Sequence, residues 1–251
     1  MFNKSLCTGC GLCVECCPVG AHKQDGRHTV DFSICTVCGE CVKVCTAGAL
    51  SIHGKTTTIK AVMEQILKDR DYYENSSGGV TLSGGEPLMQ PDAAIALASA
   101  CRSEGLSVYL DTCGYASEET FLRVAAAVDG FLFDVKLTDP ELHRKYTGVD
   151  NTLILSNFRR AVETGKPVHM RVILIPGLMD TATNLKALVK LANECGFKGP
   201  VDLMPYHSMG LGKYNNLGIQ YEGTAFSSPS KQRVEEVIEW FKENNIEAKE
   251  Q

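Results

Sequence analysis

The sequence predicts an α/β protein, a parallel sheet covered by helices, preceded by a small cysteine-dense domain. From residue 56 onward, apolar strand patterns alternate with helical periodicities. Before that point lie nine of the twelve cysteines, all between residues 7 and 45. That shift of composition marks a boundary near Gly54 and Lys55, giving domains 1–54 and 55–251. Apolar content of 44% and charged content of 22% suit a protein with a sizeable core. A net charge of −5 without a basic block argues against nucleic acid and anionic membrane surfaces as main partners. No apolar run approaches the ~18 residues of a membrane span. The opening "MFNKSLCTGC" has no apolar signal region, so the expected location is cytoplasmic.

Disulfides are rare in a reducing compartment, so this many cysteines point first to metal. The stretch "CTGCGLCVECCP" sets Cys7, Cys10, Cys13 and Cys17 in C-x2-C-x2-C-x3-C-P spacing. "CTVCGECVKVC" repeats it with Cys35, Cys38, Cys41 and Cys45, and Thr46 stands where the proline would be. Structural zinc typically uses two CxxC pairs rather than three cysteines and a distant fourth. The repeated run is the two-cluster bacterial ferredoxin arrangement, in which each fourth cysteine ligates the other run's cluster. Cys7, Cys10, Cys13 and Cys45 are thus expected to hold one [4Fe–4S] cluster, and Cys35, Cys38, Cys41 and Cys17 the second. Gly9, Gly11 and Gly39 relieve crowding where the backbone wraps the clusters. Cys16 is surplus, and the loss of proline at Thr46 is expected to change a turn and not a ligand. Two clusters in so short a segment mean electron transfer.

The elements of the second domain follow in order. Ile59, Val62, Met63, Ile66 and Leu67 recur at helical spacing, predicting a helix over 58–73. "GVTLSG" reads as a strand and 91–104 as a helix with Gly105 closing it. "LSVYLDT" is a strand, and 117–127 a helix capped by Ser117. "GFLFDV" is the third strand, with helical patterns at 139–146 and 152–164. "VHMRVILIPG" is the fourth, helix 183–195 follows, and "VDLMPY" is the fifth. A last helix over 229–243 takes Ser228 as cap and Pro229 at its first position. Apolar strands between helices indicate a parallel sheet, and five of them fit an open doubly wound sheet or an incomplete barrel.

Ligands of parallel α/β folds bind beyond the C-terminal strand ends. Those ends carry Ser83-Gly84-Gly85-Glu86-Pro87, Asp111-Thr112-Cys113-Gly114, Asp134-Val135-Lys136, Arg171 ahead of Pro176-Gly177, and Pro205-Tyr206-His207. Each alone has an ordinary reading as a turn, a cap or a solvated rim residue. Together they form a candidate site.

"SGGEP", "DTCG", "DVK" and "LMPYH", with the paired ferredoxin runs, "HRKYTGVDNTLILSN" and "LGKYNNLG", resemble the activating enzymes of glycyl radical enzymes. These are radical S-adenosylmethionine proteins of the pyruvate formate-lyase activating enzyme type, and the resemblance covers essentially the whole chain. It implies a partial (β/α) barrel of the radical SAM type, five of six strands visible, with an N-terminal 2[4Fe–4S] ferredoxin-like domain. It implies that Gly84, Gly85 and Glu86 line the methionyl amino group of S-adenosylmethionine, and that Asp111 and Thr112 lie near its carboxylate. Asp134 and Lys136 would contact ribose and carboxylate, while Arg171 and His207 complete the pocket. The implied reaction is reductive cleavage to a 5′-deoxyadenosyl radical, which takes a hydrogen atom from a backbone glycine of the partner enzyme. The electrons would come from a flavodoxin or ferredoxin, and oxygen sensitivity is expected.

The family's C-x3-C-x2-C loop, which binds a third [4Fe–4S] cluster in the intact protein, is absent from these residues. Cys13 and Cys17, and Cys41 and Cys45, have the first spacing, but Gly20 and Gly48 stand at the third position. Cys101, Cys113 and Cys195 read as buried thiols. The expectation is an N-terminally truncated relative that lacks its first strand and cluster loop. The alternative is an iron–sulfur electron-transfer protein with a catalytically silent α/β domain. Pyruvate, glycerol, choline and aromatic substrates of the partner enzyme all remain open.

Overall fold

Two glycines in the left-handed region begin the two short helices of the cysteine-rich unit. Gly11 (φ 82°) precedes α1, Leu12–Cys16, and Gly39 (φ 83°) precedes α2, Glu40–Val44. The repeated spacing is thus a repeated backbone, and a Cβ at either glycine would be strained. Between the helices runs a hairpin, β1 (His22–Asp25) against β2 (Arg27–Val30), turned at Gly26 (φ 78°). Phe2, Cys13, Ala49 and Leu50 form the small core beneath. The computed structural model describes residues 1–217 and 226–251. It divides into one unit of Met1–Thr56 with His207–Ala225, and another of Thr57–Tyr206 with Phe226–Gln251. From sequence, residues 207–217 belong with the large domain; the structure sets them with the small one.

In the large unit, Thr58 caps α3 (Ile59–Ile66) by accepting from the Ala61 N–H. The single helix predicted over 58–73 is instead broken by a 3₁₀ turn at Leu67–Asp69, after which α4 covers Arg70–Ser76. Ser77 in the left-handed region stops it before β3, Gly79–Leu82. Then follow α5 (Pro91–Ser103), β4 (Ser107–Thr112), α6 (Glu118–Ala127), β5 (Gly130–Asp134), α7 (Pro140–Thr147) and α8 (Thr152–Glu163). β6 (Val168–Leu174), α9 (Ala182–Glu194) and β7 (Val201–Pro205) come next. α10 (Leu211–Leu217) belongs to the small unit, and Gly218, the last residue of "LGKYNNLG", lies outside the described residues. The large unit closes with α11 (Lys231–Glu243) and β8 (Ala248–Glu250). Ser230, not Ser228, caps α11, because its Oγ accepts from the Arg233 N–H at 3.1 Å.

The sheet has six parallel strands in the order β3-β4-β5-β6-β7-β8. Its sixth member, β8, is only three residues long and escapes a periodicity reading. Spatial order follows chain order without the reversal of a doubly wound sheet, so the partial-barrel alternative holds. Val108, Leu110, Phe131, Phe133, Met170, Val172, Leu174 and Leu203 lie in one core with residues of the helices. Along β4 and β6 the residues between them, Tyr109, Asp111, His169 and Arg171, are half-buried on the opposite face. One face is dry and the other carries charge. The strands look continuously apolar in sequence, but only one face of each serves the core.

Gly114 (φ 70°), just past β4, lies against the buried Phe133 ring, and an added Cβ would collide with it. Gly114→Ala is expected to cost about 1–3 kcal/mol through overpacking, with left-handed strain in addition. The urea midpoint of the purified chain measures it, and an unchanged midpoint would contradict this packing.

Candidate functional site

The charged face of the large unit is organised by Arg171. Strand register sets Asp134 of β5 opposite Arg171 of β6. The Arg171 Nε donates to Asp134 Oδ1 at 2.8 Å, and Nη1 donates to Asp111 Oδ2 of β4 at 3.2 Å, with Nη2 on Asp111 Oδ1. Lys136 Nζ meets the other oxygen of Asp134 at 3.1 Å, and Ser83 Oγ donates to Asp111 Oδ2 at 2.9 Å. The ends of β3, β4, β5 and β6 are thereby joined by one chain of charge. The side chains of Arg171, Asp134 and Asp111 are 13%, 18% and 20% exposed, so water screens these pairs only partly. Burial opposes the Arg171 charge, but the Asp134 and Asp111 carboxylates outweigh it and hold its pKa above the ordinary arginine value.

The glycines at the end of β3 have different reasons. Gly84 sits at φ 121°, while a Cβ on either Gly84 or Gly85 would meet nothing within 4 Å. The backbone there is bare toward open space, which a tight turn alone does not require. Glu86 is more committed than its sequence role implies. Its carboxylate accepts from the Leu88 N–H (3.1 Å), the Thr112 hydroxyl (2.7 Å) and the Cys113 N–H (2.9 Å). Thr112 is buried and passes the network to the Gly114 N–H at 2.9 Å. Glu86 and Thr112 therefore lock the β3 and β4 loops together. His207 is exposed and belongs to the small unit, so it is not among the residues the large unit gathers.

Three buried asparagines hold these loops, and none was singled out from sequence. Asn157 of α8 donates to the Gly114 and Ala116 carbonyls at 2.8 and 2.9 Å. Asn151 donates to the Leu137 and Thr138 carbonyls, both at 2.8 Å. Asn184 of α9 accepts from the Thr138 N–H at 3.0 Å and donates to the Met179 carbonyl at 2.9 Å. Asn151 and Asn157 lie within "HRKYTGVDNTLILSN", the signal that could have found them.

The small unit gathers its cysteines into two sets. Cys17, Cys35, Cys38 and Cys41 line a cavity of about 230 Å³ that His22 and Val42 also border. Cys7, Cys10, Cys13 and Cys45 line a tighter hollow of about 20 Å³ with His28 and Gly11. Each set takes three cysteines from one run and the fourth from the other, as a pair of cubane clusters requires. Burial and neighbouring cysteines push the Cys13 and Cys41 thiols up, the crowding that a bound metal relieves. Burial also acts upward on Cys17, but backbone N–H groups of residues 19–22 outweigh it and hold its thiol below the ordinary value. Cys16 Sγ turns away to the Cys13 carbonyl at 3.7 Å. The Thr46 N–H donates to the Val44 carbonyl at 3.1 Å, a bond proline could not make. His22 and His28 are both buried, and burial holds both imidazoles below their ordinary pKa.

A family model described as the radical SAM superfamily matches residues 35–197, and one described as a 4Fe-4S binding domain matches residues 1–21. The chain is 43% identical over 249 residues to the choline trimethylamine-lyase activating enzyme of Oleidesulfovibrio alaskensis, covering 95% of this chain and 80% of that protein. It is 39% identical over 253 residues to the trans-4-hydroxy-L-proline dehydratase activating enzyme of Clostridioides difficile, covering 99% and 83%. Among solved structures, a domain of a pyruvate-formate lyase-activating enzyme from Bacteroides vulgatus aligns with a TM-score of 0.59 at 27% identity, covering 69% of this chain and 99% of that one.

Cys113, beside Glu86, is pushed up to about 11 by burial and by that carboxylate, from an ordinary 9.0. Its folded value lies above the unfolded one, so its contribution to stability is complete below pH 9 and is lost as the pH rises toward 11. Iodoacetamide at pH 8.5 is expected to leave Cys113 unmodified in the native chain and to label it fully in urea. Peptide mapping reads this out, and rapid native labelling would contradict the site's geometry.

Proposed function

The chain belongs to the glycyl radical enzyme activating enzymes of the radical SAM superfamily, and from that premise we propose that it installs a glycyl radical on a partner enzyme. The observation that carries this reading is Arg171 held between Asp111 and Asp134 beside the bare Gly84–Gly85 backbone. A zwitterionic sulfonium ligand needs both signs of charge on one rim, with hydrogen-bond acceptors that approach without a side chain between. The backbone oxygens of Gly84 and Gly85 would take its amino group, Lys136 and Arg171 its carboxylate, and Asp134 its ribose. Thr112 and Glu86 keep the two loops in place. S-adenosylmethionine, when bound and reduced by one electron, supplies the radical chemistry of the superfamily. The protein contributes orientation and exclusion of side reactions.

Cys7, Cys10, Cys13 and Cys45 hold one [4Fe–4S] cluster in this reading, and Cys35, Cys38, Cys41 and Cys17 a second. A flavodoxin or ferredoxin is the proposed donor. The C-x3-C-x2-C triplet is not among these 251 residues, and none of them is assigned to that third cluster. The two relatives above are named for activation of choline trimethylamine-lyase and trans-4-hydroxy-L-proline dehydratase, which makes those two enzymes the first partners to try.

The test is to mix the anaerobically reconstituted protein with each partner, S-adenosylmethionine and a one-electron donor, and to record the electron paramagnetic resonance spectrum. A glycyl radical signal on the partner is expected from a form of the protein that also carries the C-x3-C-x2-C triplet and its third cluster. Loaded clusters with no radical would favour the electron-transfer alternative. The site itself is tested in the form that carries the C-x3-C-x2-C triplet by Gly85→Leu, which has room in the fold and is expected to weaken S-adenosylmethionine binding by at least about tenfold, or ~1.4 kcal/mol, in titration calorimetry. Unchanged affinity would sink the site assignment. Iron analysis should find about eight irons per chain, falling to about four in Cys17→Ala.

A further inference from the structure

Between the two cysteine sets lies a pair of imidazoles with no counterpart in the cysteine spacing. His22 and His28 sit on the facing strands of the β1–β2 hairpin, 4% and 7% exposed. Their rings stack at 5.1 Å between centroids, and His22 Nδ1 lies 2.9 Å from His28 Nε2. His28 reaches one cysteine set with both nitrogens: Nε2 is 3.3 Å from Cys13 Sγ, and Nδ1 is 3.7 Å from Cys7 Sγ. The Phe2 ring, edge-on at 4.5 Å, holds His28 from another side. His22 borders the cavity of the other set.

We infer that His28 tunes the cluster of Cys7, Cys10, Cys13 and Cys45 by hydrogen bonding to its thiolate sulfur, and that His22 orients His28. The inference rests on the cluster reading above. A thiolate bound to iron carries no hydrogen and can only accept. Neutral His28 has one N–H, and in either tautomer that N–H points at a sulfur of this set. With the hydrogen on Nδ1, it donates to Cys7 while Nε2 accepts from His22. With the hydrogen on Nε2, Cys13 and His22 Nδ1 share it. A hydrogen bond to sulfur draws electron density from the cluster and stabilises the reduced form. His22 has no hydrogen bond to a cysteine sulfur through its side chain and is a positioning residue. The device sets the two clusters apart in potential, because the 3.3 and 3.7 Å contacts of this pair both fall on a single set.

Cys13, His22 and His28 also bring one ligand atom each within 4.8 Å, the geometry of a small mononuclear metal site. Cys13 is already claimed by its cysteine set, and the 2.9 Å contact leaves the two imidazoles bonded to each other.

The experiment is a redox titration of the anaerobically reconstituted chain followed by electron paramagnetic resonance, with iron and zinc measured on the same samples. His28→Leu is expected to keep about eight irons. It should make one cluster about tenfold harder to reduce, ~59 mV lower for one electron, and leave the other where it was. His28→Gln, which keeps an N–H donor, should stay near the wild-type potential. Full iron with both potentials unmoved, or both moved equally, would overturn the inference. If His28→Leu fails to hold its iron, His22→Leu decides: it should lower the same potential, and an unmoved value would overturn the inference. Fewer than about eight irons in the unaltered chain would defeat the cluster reading itself. One zinc lost on changing either histidine would replace both readings with the mononuclear site.

Discussion

A guanidinium held between two carboxylates from neighbouring strands is the constraint on which the charged face depends. Arg171 is mostly removed from water, so it is tolerable only because Asp111 and Asp134 surround it. Those carboxylates reach it only if β4, β5 and β6 are parallel and in this register. A slip of one residue would turn all three charges into the apolar core. The helices must then cover the opposite face, where Phe131, Phe133, Met170 and Leu203 lie. The charged rim and the one-sided core are therefore one requirement seen from two faces.

The same logic explains how the loops are held. Loops at strand ends have backbone groups that the sheet no longer satisfies. Here buried amides satisfy them: Asn157 under the β4 loop, Asn151 and Asn184 under the β5 loop. Glu86 does so with a carboxylate, at three donors. A carboxylate that accepts three hydrogen bonds from its own chain is a poor candidate for a ligand that must come and go. Gly84 and Gly85, which have no side chain to commit, leave their backbone bare, and it is this backbone that the proposed site uses. This division of labour within five residues is the physical content of "SGGEP".

Much of this was legible in the sequence, for identifiable reasons. The cysteine sets are fixed by local spacing, and spacing survives in one dimension. The strand ends announced themselves because charged residues interrupt apolar runs there. What was missed depends on partners distant in the chain. β8 is three residues whose identity as a strand comes only from β7. Ser230 and Ser228 look alike until the Arg233 N–H selects one. The break at Leu67–Asp69 leaves the apolar periodicity intact and so leaves no mark on it. His22 and His28 sit six residues apart in a segment with no motif, and only the hairpin turns them toward each other and toward Cys7 and Cys13.

The two units solve opposite electrostatic problems. The large one brings unlike charges together and leaves them partly exposed, so they hold one another and still present both signs. The small one brings like groups together, thiols that would repel as thiolates and that burial already makes harder to ionise. In its thiolate form such a set is stable only when something cationic replaces the protons. Its fine adjustment then falls to whatever donates to sulfur from outside. Backbone N–H groups are placed to do this for Cys17 and, in the proposed reading, the His28 ring for Cys7 and Cys13. A ring differs from a backbone amide in being replaceable one side chain at a time. On the two-cluster reading proposed above, that makes the hairpin histidines the natural place to adjust one cluster without disturbing the other.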